Sequence, residues 1–470
     1  MDRGIYPDIV MLAECPEFIE DARALVRTNG EDLLEPHSQP VELDAYMDRL
    51  LRRGNVLLRL CEGTVVSLVA YCANDLGTRV ACISLVLVSD KSRHKGVVRE
   101  LLDRVHLQAR KCGMRAIQLH VHPGNASALR LYLELGYCPR AVESGKLLLR
   151  RRLYCVGLMT PVHLSRLFGD AGIQLRVKRD DVFPASGGGN KARKAQYIVT
   201  SALDKGYDTI VTNGGLQSNH VRATALLCAQ EGIDCHVVLH SRDGMLGRPQ
   251  GNQLLTQLTG VTVESCLLGD LADRMDRSVA ERISEGKKTL YLWGGGHCLE
   301  GSLAYLEAAE EAQEQCGEWV PDFLVLPSGT GTTQAGLIVG YRNLPTKVLG
   351  ISVARDSSRA QPIVSRAVTD LLEYLSISAA GSEPVVLDEW VLGGYEGTSR
   401  PLWDLISHAG RRGLILDPTY TGKALLGLKQ MIDRGTVPPG SRVLFWHTGG
   451  LPNLMASDLP KGLFCEEGTV

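Results

Sequence analysis

Val177-Lys-Arg-Asp-Asp-Val-Phe-Pro-Ala-Ser-Gly187-Gly-Gly-Asn190-Lys191-Ala-Arg193-Lys194 is the stretch on which the reading of this chain turns. Three consecutive glycines make a tight turn, and the lysine two residues later stands at the start of a helix. The positive end of that helix, with Arg193 and Lys194 close by, disfavours the ammonium form of Lys191. A lysine biased toward its neutral amine suits covalent capture of a carbonyl group. Taken alone, the segment also reads as a solvated basic helix start.

Outward from this stretch, from about residue 160, short apolar runs alternate with helical segments. Residues 208–212, 234–239, 323–326, 348–353 and 443–447 read as short buried strands, mostly followed by glycine-rich turns. That alternation predicts an open, mainly parallel α/β sheet with its ligand at the C-terminal strand ends. Three further segments carry polar groups at such ends. Thr212-Asn-Gly-Gly-Leu-Gln-Ser218-Asn219-His220 opens a helix with hydroxyl and amide side chains, suited to a carboxylate or a ring oxygen. Gly329, Thr330, Gly331, Thr332 and Thr333 follow a buried strand and form a phosphate nest without a lysine of their own. The nest lacks the G-x-x-x-x-G-K-[ST] pattern, which disfavours nucleotide hydrolysis. The last group comprises Gly393-Gly-Tyr395, Asp417-Pro-Thr-Tyr420-Thr421-Gly-Lys423 and His447-Thr448-Gly449-Gly450, each of which alone reads as an ordinary turn.

In this order, the set resembles fold-type II pyridoxal-phosphate enzymes of the 1-aminocyclopropane-1-carboxylate (ACC) deaminase/D-cysteine desulfhydrase family, over about residues 158–465. The resemblance implies two open α/β subdomains like those of tryptophan synthase β. It makes Lys191 the lysine that holds pyridoxal phosphate and Asn219 the partner of the cofactor's ring oxygen. Ser218 and His220 would hold the substrate carboxylate, largely through the helix-start backbone, with Asn219 beside them. Gly329–Thr333 would bind the phosphate, Thr448 would face the pyridine nitrogen with Thr421 nearby, and Tyr395 and Tyr420 would line the substrate side. ACC deaminases carry Tyr-Glu where this chain has Tyr420-Thr421, so the D-cysteine desulfhydrase branch is favoured. The implied activity is α,β-elimination releasing ammonia and a 2-oxo acid. A cyclopropane-opening deaminase and a β-replacement enzyme are the alternatives.

Residues 1–155 have another texture. Residues 55–60, 65–71 and 81–88 read as strands, a helical pattern runs from Val97 to Gly113, and residues 116–121 read as a further strand. Arg93-His-Lys-Gly96-Val-Val98 and Asn125-Ala-Ser-Ala-Leu-Arg-Leu-Tyr132-Leu-Glu-Leu-Gly136 sit at the starts of two helices. Together they resemble the GNAT-type N-acetyltransferases, a mixed sheet with helices, over about residues 5–150. The resemblance implies acetyl-CoA at Arg93, Gly96, Val98 and Asn125, with Tyr132 as the acid for the departing thiolate. Val98 stands where that family has glycine or alanine, and a branched side chain there would crowd the diphosphate. A non-catalytic binding module is therefore the alternative for this part. The basic run Arg150–Arg152 near the boundary, with the second domain at 156–470, reads as a solvated strand end or linker.

Composition bounds the rest. With 51 Lys+Arg against 53 Asp+Glu, the formal charge of -2 lacks the basic excess of a nucleic-acid binder. Thirteen cysteines contain no C-x-x-C pair, so reduced thiols in a cytoplasmic protein are expected and no metal site. No apolar run of about 18 residues occurs, and neither a secretory leader nor a membrane span is expected. The resemblance implies a homodimer acting on a small amino acid. Glycine stands out, at 50 of 470 residues against an average of about 7%, and many of these glycines fall in the segments above.

Overall fold

The computed structural model describes residues 8–29, 45, 47–50, 54–75, 78–92, 96–114, 116–135, 137–153, 159–375, 383–461 and 463. The chain forms two compact units, Met1–Gly157 and Leu158–Val470.

The N-terminal unit is built on seven strands: β1 (Ile9–Met11), β2 (Asn55–Cys61), β3 (Thr64–Cys72), β4 (Val80–Val88), β5 (Ala116–Val121), β6 (Cys138–Glu143) and β7 (Lys146–Arg152). Their order is β1-β2-β3-β4-β5-β7-β6. All neighbours are antiparallel except β4 and β5. The β3–β4 register shifts next to Ala70, leaving one extra residue, Ser84, in β4. Because strand side chains alternate with period two, one extra residue sends the side chains beyond it to the other face. Ala81 and Ile83 accordingly join one apolar cluster with Val69 and Leu101, while Leu85 and Leu87 join a second with Leu68 and Val26. The bulge thus lets β4 supply cores on both sides of the sheet.

The basic run is not a solvated edge. It lies in β7, which pairs with β5 on one side and β6 on the other. Arg150 donates to Gln118 at 2.8 Å and Arg151 to the buried His106 at 2.6 Å. Partners on β5 and on the helix Val97–Lys111, which a linear reading cannot supply, explain why the charges of Arg150 and Arg151 are tolerated there.

The C-terminal unit holds two sheets. The smaller contains β10 (Thr209–Gly215), β11 (Asp234–Ser241), β12 (Thr262–Leu267) and β13 (Thr289–Leu292), all parallel, in the order β12-β11-β10-β13. The larger contains β8 (Val162–Ser165), β9 (Gln174–Arg179), β14 (Phe323–Ser328), β15 (Lys347–Ser352), β16 (Val385–Leu387) and β17 (Arg442–His447), in the order β16-β15-β14-β17-β9-β8. Only the edge strand β8 runs antiparallel. Valine, leucine and isoleucine runs buried on both faces give these strands their near-continuous apolar character. In each sheet the chain order reverses once, between β10 and β13 and between β14 and β17. Such switch points open a crevice at the C-terminal strand ends. No helix among the described residues is long and apolar enough to cross a membrane.

Candidate active site

The loops after β10, β13, β14 and β17 flank the two switch points, and residues from three of these four loops line one cleft. Asn219 follows β10, Gly329–Gly331 and Thr333 follow β14, and Thr448 and Gly449 follow β17. Lys191 enters the same cleft from the helix Gly189–Asp204. Residues hundreds of positions apart in sequence are thus brought together by topology.

The triple glycine is required by its backbone. Gly187, Gly188 and Gly189 have φ of 75°, 75° and 87°, a region costly for other residues. A Cβ on Gly188 would stand 2.5 Å from the Asp181 carbonyl, and one on Gly189 2.9 Å from that of Thr448. The turn is fastened from two sides: Asn190 N–H donates to the Thr448 carbonyl at 2.9 Å, and buried Arg222 donates to the Gly187 and Gly188 carbonyls.

Lys191 Nζ donates to the Gly295 carbonyl at 2.9 Å, in the loop after β13. Burial pushes its pKa down to about 8. No acidic side chain occurs among the described residues that line the cleft, and the hydrogen bond with Lys194 only partly offsets the effect of burial. Lys194, one helical turn on, is also buried there and donates to Thr332 Oγ1 at 2.5 Å. Burial first, and Lys191 second, hold its pKa well below the usual lysine range. The nest is therefore not without a lysine; Lys194 brings one to it from another segment.

Arg193 does not act on Lys191 as expected from its position in the chain. It points into a dry ion group, donating to Glu311 Oε2 and Asp180 Oδ1, each at 2.8 Å. Lys178 on β9 completes the group by pairing with Glu311. All four side chains are almost wholly buried. Burial alone would raise the Asp180 carboxyl, but Arg193 and Lys178 hold it at about 2. Trp446 Nε1 donates to the same carboxylate at 2.8 Å, so the group ties the Lys191 helix to β9 and β17.

Across the cleft, Gly331 with φ 88° precedes the helix Thr332–Tyr341, which no side chain caps. Its first N–H groups and positive dipole end form an anion site. Thr333 Oγ1 accepts from Asn190 Nδ2 at 3.2 Å, and the Thr330 carbonyl is 2.8 Å from His297 Nδ1. Asn219 begins the helix Asn219–Glu231, and its Oδ1 lies 3.1 Å from Asn252 Nδ2. Asn252 is bound in turn to Asn453 at 2.8 Å. Ser218 caps that helix, accepting from Val221 N–H. The buried His220 ring meets Thr212 Oγ1 at 2.9 Å. It is not itself among the residues lining the cleft, but lies close enough to Lys191 and Lys194 that both, after burial, lower its pKa.

Tyr420 lines the cleft, and its hydroxyl is in direct contact with that of Tyr395. The rings meet edge to face at 5.6 Å. Burial, with Tyr395 adding to it, raises the Tyr420 pKa well above the usual range, so this phenol stays protonated. Buried Lys423 pins the Tyr395 loop through the carbonyls of Val391, Gly394 and Tyr395. Thr448 lines the cleft, but Thr421 does not. Its hydroxyl donates to buried Asp417 at 2.7 Å, where Asp417 also takes the N–H groups of Thr419, Tyr420 and Thr421. Sequence reading missed Lys194, Arg222, Gly295 and Asn252. The triple glycine 294–296 after an apolar run carried the same pattern as the segments that were read.

In the N-terminal unit, β4 and β5 pair only over Val80–Cys82 and Ala116–Gln118, then part. The separation leaves backbone groups of two central strands unpaired with each other, as in a slot for an amide-bearing chain. Gly96, with φ 76°, leads into the helix Val97–Lys111; Arg93 and Gly136 lie outside the described residues. Val98 is half-buried against the apolar cluster containing Leu101 and Leu102. Its branched side chain packs in part on that core. Asn125 caps the helix Ala126–Glu134, accepting from Ala128 N–H at 3.0 Å. Tyr132 is buried edge-on to Tyr137, and burial pushes it up to about 12.

Comparison with known proteins assigns a family to each unit. The family model for pyridoxal-phosphate dependent enzymes matches residues 156–449, and that for the acetyltransferase (GNAT) family matches residues 22–137. A D-cysteine desulfhydrase of Salmonella paratyphi A is 34% identical over 314 residues, covering 65% of this chain and 95% of that protein. The protein of the same description from Salmonella choleraesuis (strain SC-B67) matches to the same extent, 34% over 314 residues. A crystal structure of an ACC deaminase homologue superposes with a TM-score of 0.59 at 30% identity, covering 63% of this chain and 91% of that one. The chain belongs to the pyridoxal-phosphate-dependent enzymes, with a GNAT acetyltransferase domain in front of the catalytic fold.

Proposed function

We propose that the C-terminal unit eliminates the β-thiol from a small amino acid, D-cysteine first among them. One water is consumed, and hydrogen sulfide, ammonia and a 2-oxo acid leave. The observation that carries this reading is Lys191, whose pKa burial lowers to about 8, in a cleft lined, among the described residues, by two lysines and no acid. That lining fits an anionic aldehyde cofactor: Lys191 for the carbonyl, and the uncapped helix start at Thr332 with Lys194 for the phosphate. When bound, pyridoxal phosphate supplies the electron sink for breaking the Cα–H bond.

The chain's own residues supply the rest. Lys191 Nζ, as a neutral amine, would take the Cα proton. Tyr420, held protonated and oriented by Tyr395, hands a proton to the departing sulfur. Asn219, steadied by Asn252, orients the ring oxygen, and the helix start at Ser218-Asn219-His220 takes the substrate carboxylate. Thr448 would offer the ring nitrogen a neutral hydroxyl. Lacking a carboxylate's power to stabilise positive charge there, it would favour prompt loss of a β leaving group. Thr421, spent on Asp417, acts by positioning Tyr420.

The deciding assay presents the holo-protein with D-cysteine, L-cysteine, β-chloroalanine and ACC, and follows 2-oxo acid and sulfide. D-cysteine turnover is expected; ACC opening without it would move the chain to the deaminase branch, which the likeness to an ACC deaminase homologue keeps in view.

For the N-terminal unit we infer acetyl-CoA-dependent N-acetyl transfer, with the parted β4–β5 pair receiving the cofactor's amide chain and Tyr132 as acid. Calorimetry of the full chain with acetyl-CoA tests it, and absence of heat would make this unit a binding module. Domain limits at 155/156, a homodimer and a cytoplasmic site of action complete the proposal. Limited proteolysis, sedimentation and cell fractionation check them in turn.

A further inference from the structure

The turn that leads into the helix start at Thr332 has each of its carbonyls engaged. Ser328 O accepts from Val353 N–H at 3.1 Å, and Gly331 O from Ala335 N–H at 2.9 Å. Between them, Gly329 O accepts from Arg355 Nη1 at 2.7 Å, and Thr330 O accepts from His297 Nδ1 at 2.8 Å. The outer pair of contacts is backbone to backbone. The inner pair comes from side chains on other loops, His297 after β13 and Arg355 after β15.

These side-chain contacts fix which way the turn faces. A peptide bond is planar and trans, so its C=O and the N–H of the next residue point in opposite directions. Holding the Gly329 carbonyl therefore aims the Thr330 N–H, and holding the Thr330 carbonyl aims the Gly331 N–H. His297 and Arg355 make their contacts on the exposed side and are not among the residues that line the cleft, whereas Gly329, Thr330 and Gly331 are. The carbonyls are drawn outward, and the N–H groups of Thr330 and Gly331 turn inward beside those of the helix start.

The hold is needed because glycine stands on both sides of Thr330. Glycine rotates its backbone at little cost, and at Gly329 an added Cβ would meet nothing closer than Val353 at 3.8 Å. Released, either peptide could swing its carbonyl toward the anion. The Thr332 hydroxyl cannot stand in for them, since it accepts from Lys194 and donates to the Gly296 carbonyl at 3.3 Å. We propose that His297 and Arg355 are positioning residues for the phosphate, each holding one carbonyl of the Gly329-Thr330-Gly331 turn outward so that its N–H groups stay aimed at the anion. The proposal rests on the cofactor reading above and extends it to side chains outside the cleft. A carbonyl only accepts, so His297 Nδ1 carries a proton in either charge state of the ring, and an asparagine amide can supply the same donor.

The test titrates the cofactor-free full-length protein with inorganic phosphate by calorimetry. In parallel, absorbance follows capture of pyridoxal, which lacks the phosphate. In the double variant His297→Ala/Arg355→Ala, phosphate affinity should fall about tenfold, the effect of losing one hydrogen bond, with pyridoxal capture unchanged. His297→Asn should keep the native phosphate affinity, where His297→Ala does not. A double variant that binds phosphate as the native protein does, or that loses pyridoxal capture by the same factor, would overturn the proposal. A native protein that binds neither phosphate nor pyridoxal phosphate would overturn the cofactor reading first, and the proposal with it.

Discussion

The two proposed sites would hold a phosphate-bearing cofactor with different materials. The cleft of the C-terminal unit is closed by glycine turns with positive φ, an uncapped helix start and two buried lysines, locked by the ion group of Lys178, Asp180, Arg193 and Glu311. The N-terminal unit offers a gap between two central strands and a glycine before a helix, with Tyr132 buried edge-on to Tyr137. One site is preorganised by charge, the other by strand separation. Disturbing charge should therefore damage the first and spare the second.

The largest effect is expected at the proton donor. Tyr420→Phe should slow elimination by about 10²–10⁴-fold, the range of general acid–base catalysis, while leaving acetyl transfer unchanged. Steady-state kinetics of both reactions on one preparation measures the difference, and equal losses would break the comparison.

Next in size is the ion group. Arg193→Ala strands Asp180 and Glu311 without their main partner, and breaking a buried pair costs about 3–5 kcal/mol. Calorimetric melting should show this loss in the C-terminal transition alone. Acid gives a graded version. Asp180, held at about 2 against about 3.9 unfolded, contributes roughly 2–3 kcal/mol. That contribution is complete above about pH 4 and is lost as pH falls through about 2. Arg193→Ala should flatten this acid dependence.

A bound phosphate would favour the ammonium form of Lys194. Lys194→Ala therefore removes a charged hydrogen bond worth about 1.5–3 kcal/mol, and cofactor affinity should fall roughly 10–100-fold, as equilibrium dialysis would show. Asn125→Ala is the smallest. Losing the cap costs about 1 kcal/mol, confined to the N-terminal transition.

Much of the cleft was legible in the sequence because its residues sit at local punctuation, where a strand ends in glycine and a helix begins. Lys191, Asn219, Thr330 and Thr448 were found that way, and the fold brings them together. What escaped depends on partners far along the chain. Lys194 looks like a solvated helix residue until Thr332 covers it from 138 positions away. β9, reading Gln-Leu-Arg-Val-Lys-Arg, hides its burial because Lys178 is neutralised by Glu311, 133 positions on. Thr421 was assigned toward the cofactor by its place in a motif, whereas Asp417 claims its hydroxyl. In β4 the alternation looks uniform, and only the bulge at Ser84 shows that its two halves feed different cores.

The central claim is that Lys191 is a reactive amine set to capture pyridoxal phosphate. With its pKa near 8, the neutral amine prevails above that pH, so the rate of cofactor capture by the stripped protein should rise as pH increases through about 8. The most direct measurement is borohydride reduction of the reconstituted protein, followed by peptide mass mapping, on the native chain and on Lys191→Ala. The account predicts a cofactor adduct on Lys191 in the native chain, and neither adduct nor visible absorbance in the variant. A yellow, active Lys191→Ala protein, or an adduct carried by Lys194 in the native chain, would contradict it.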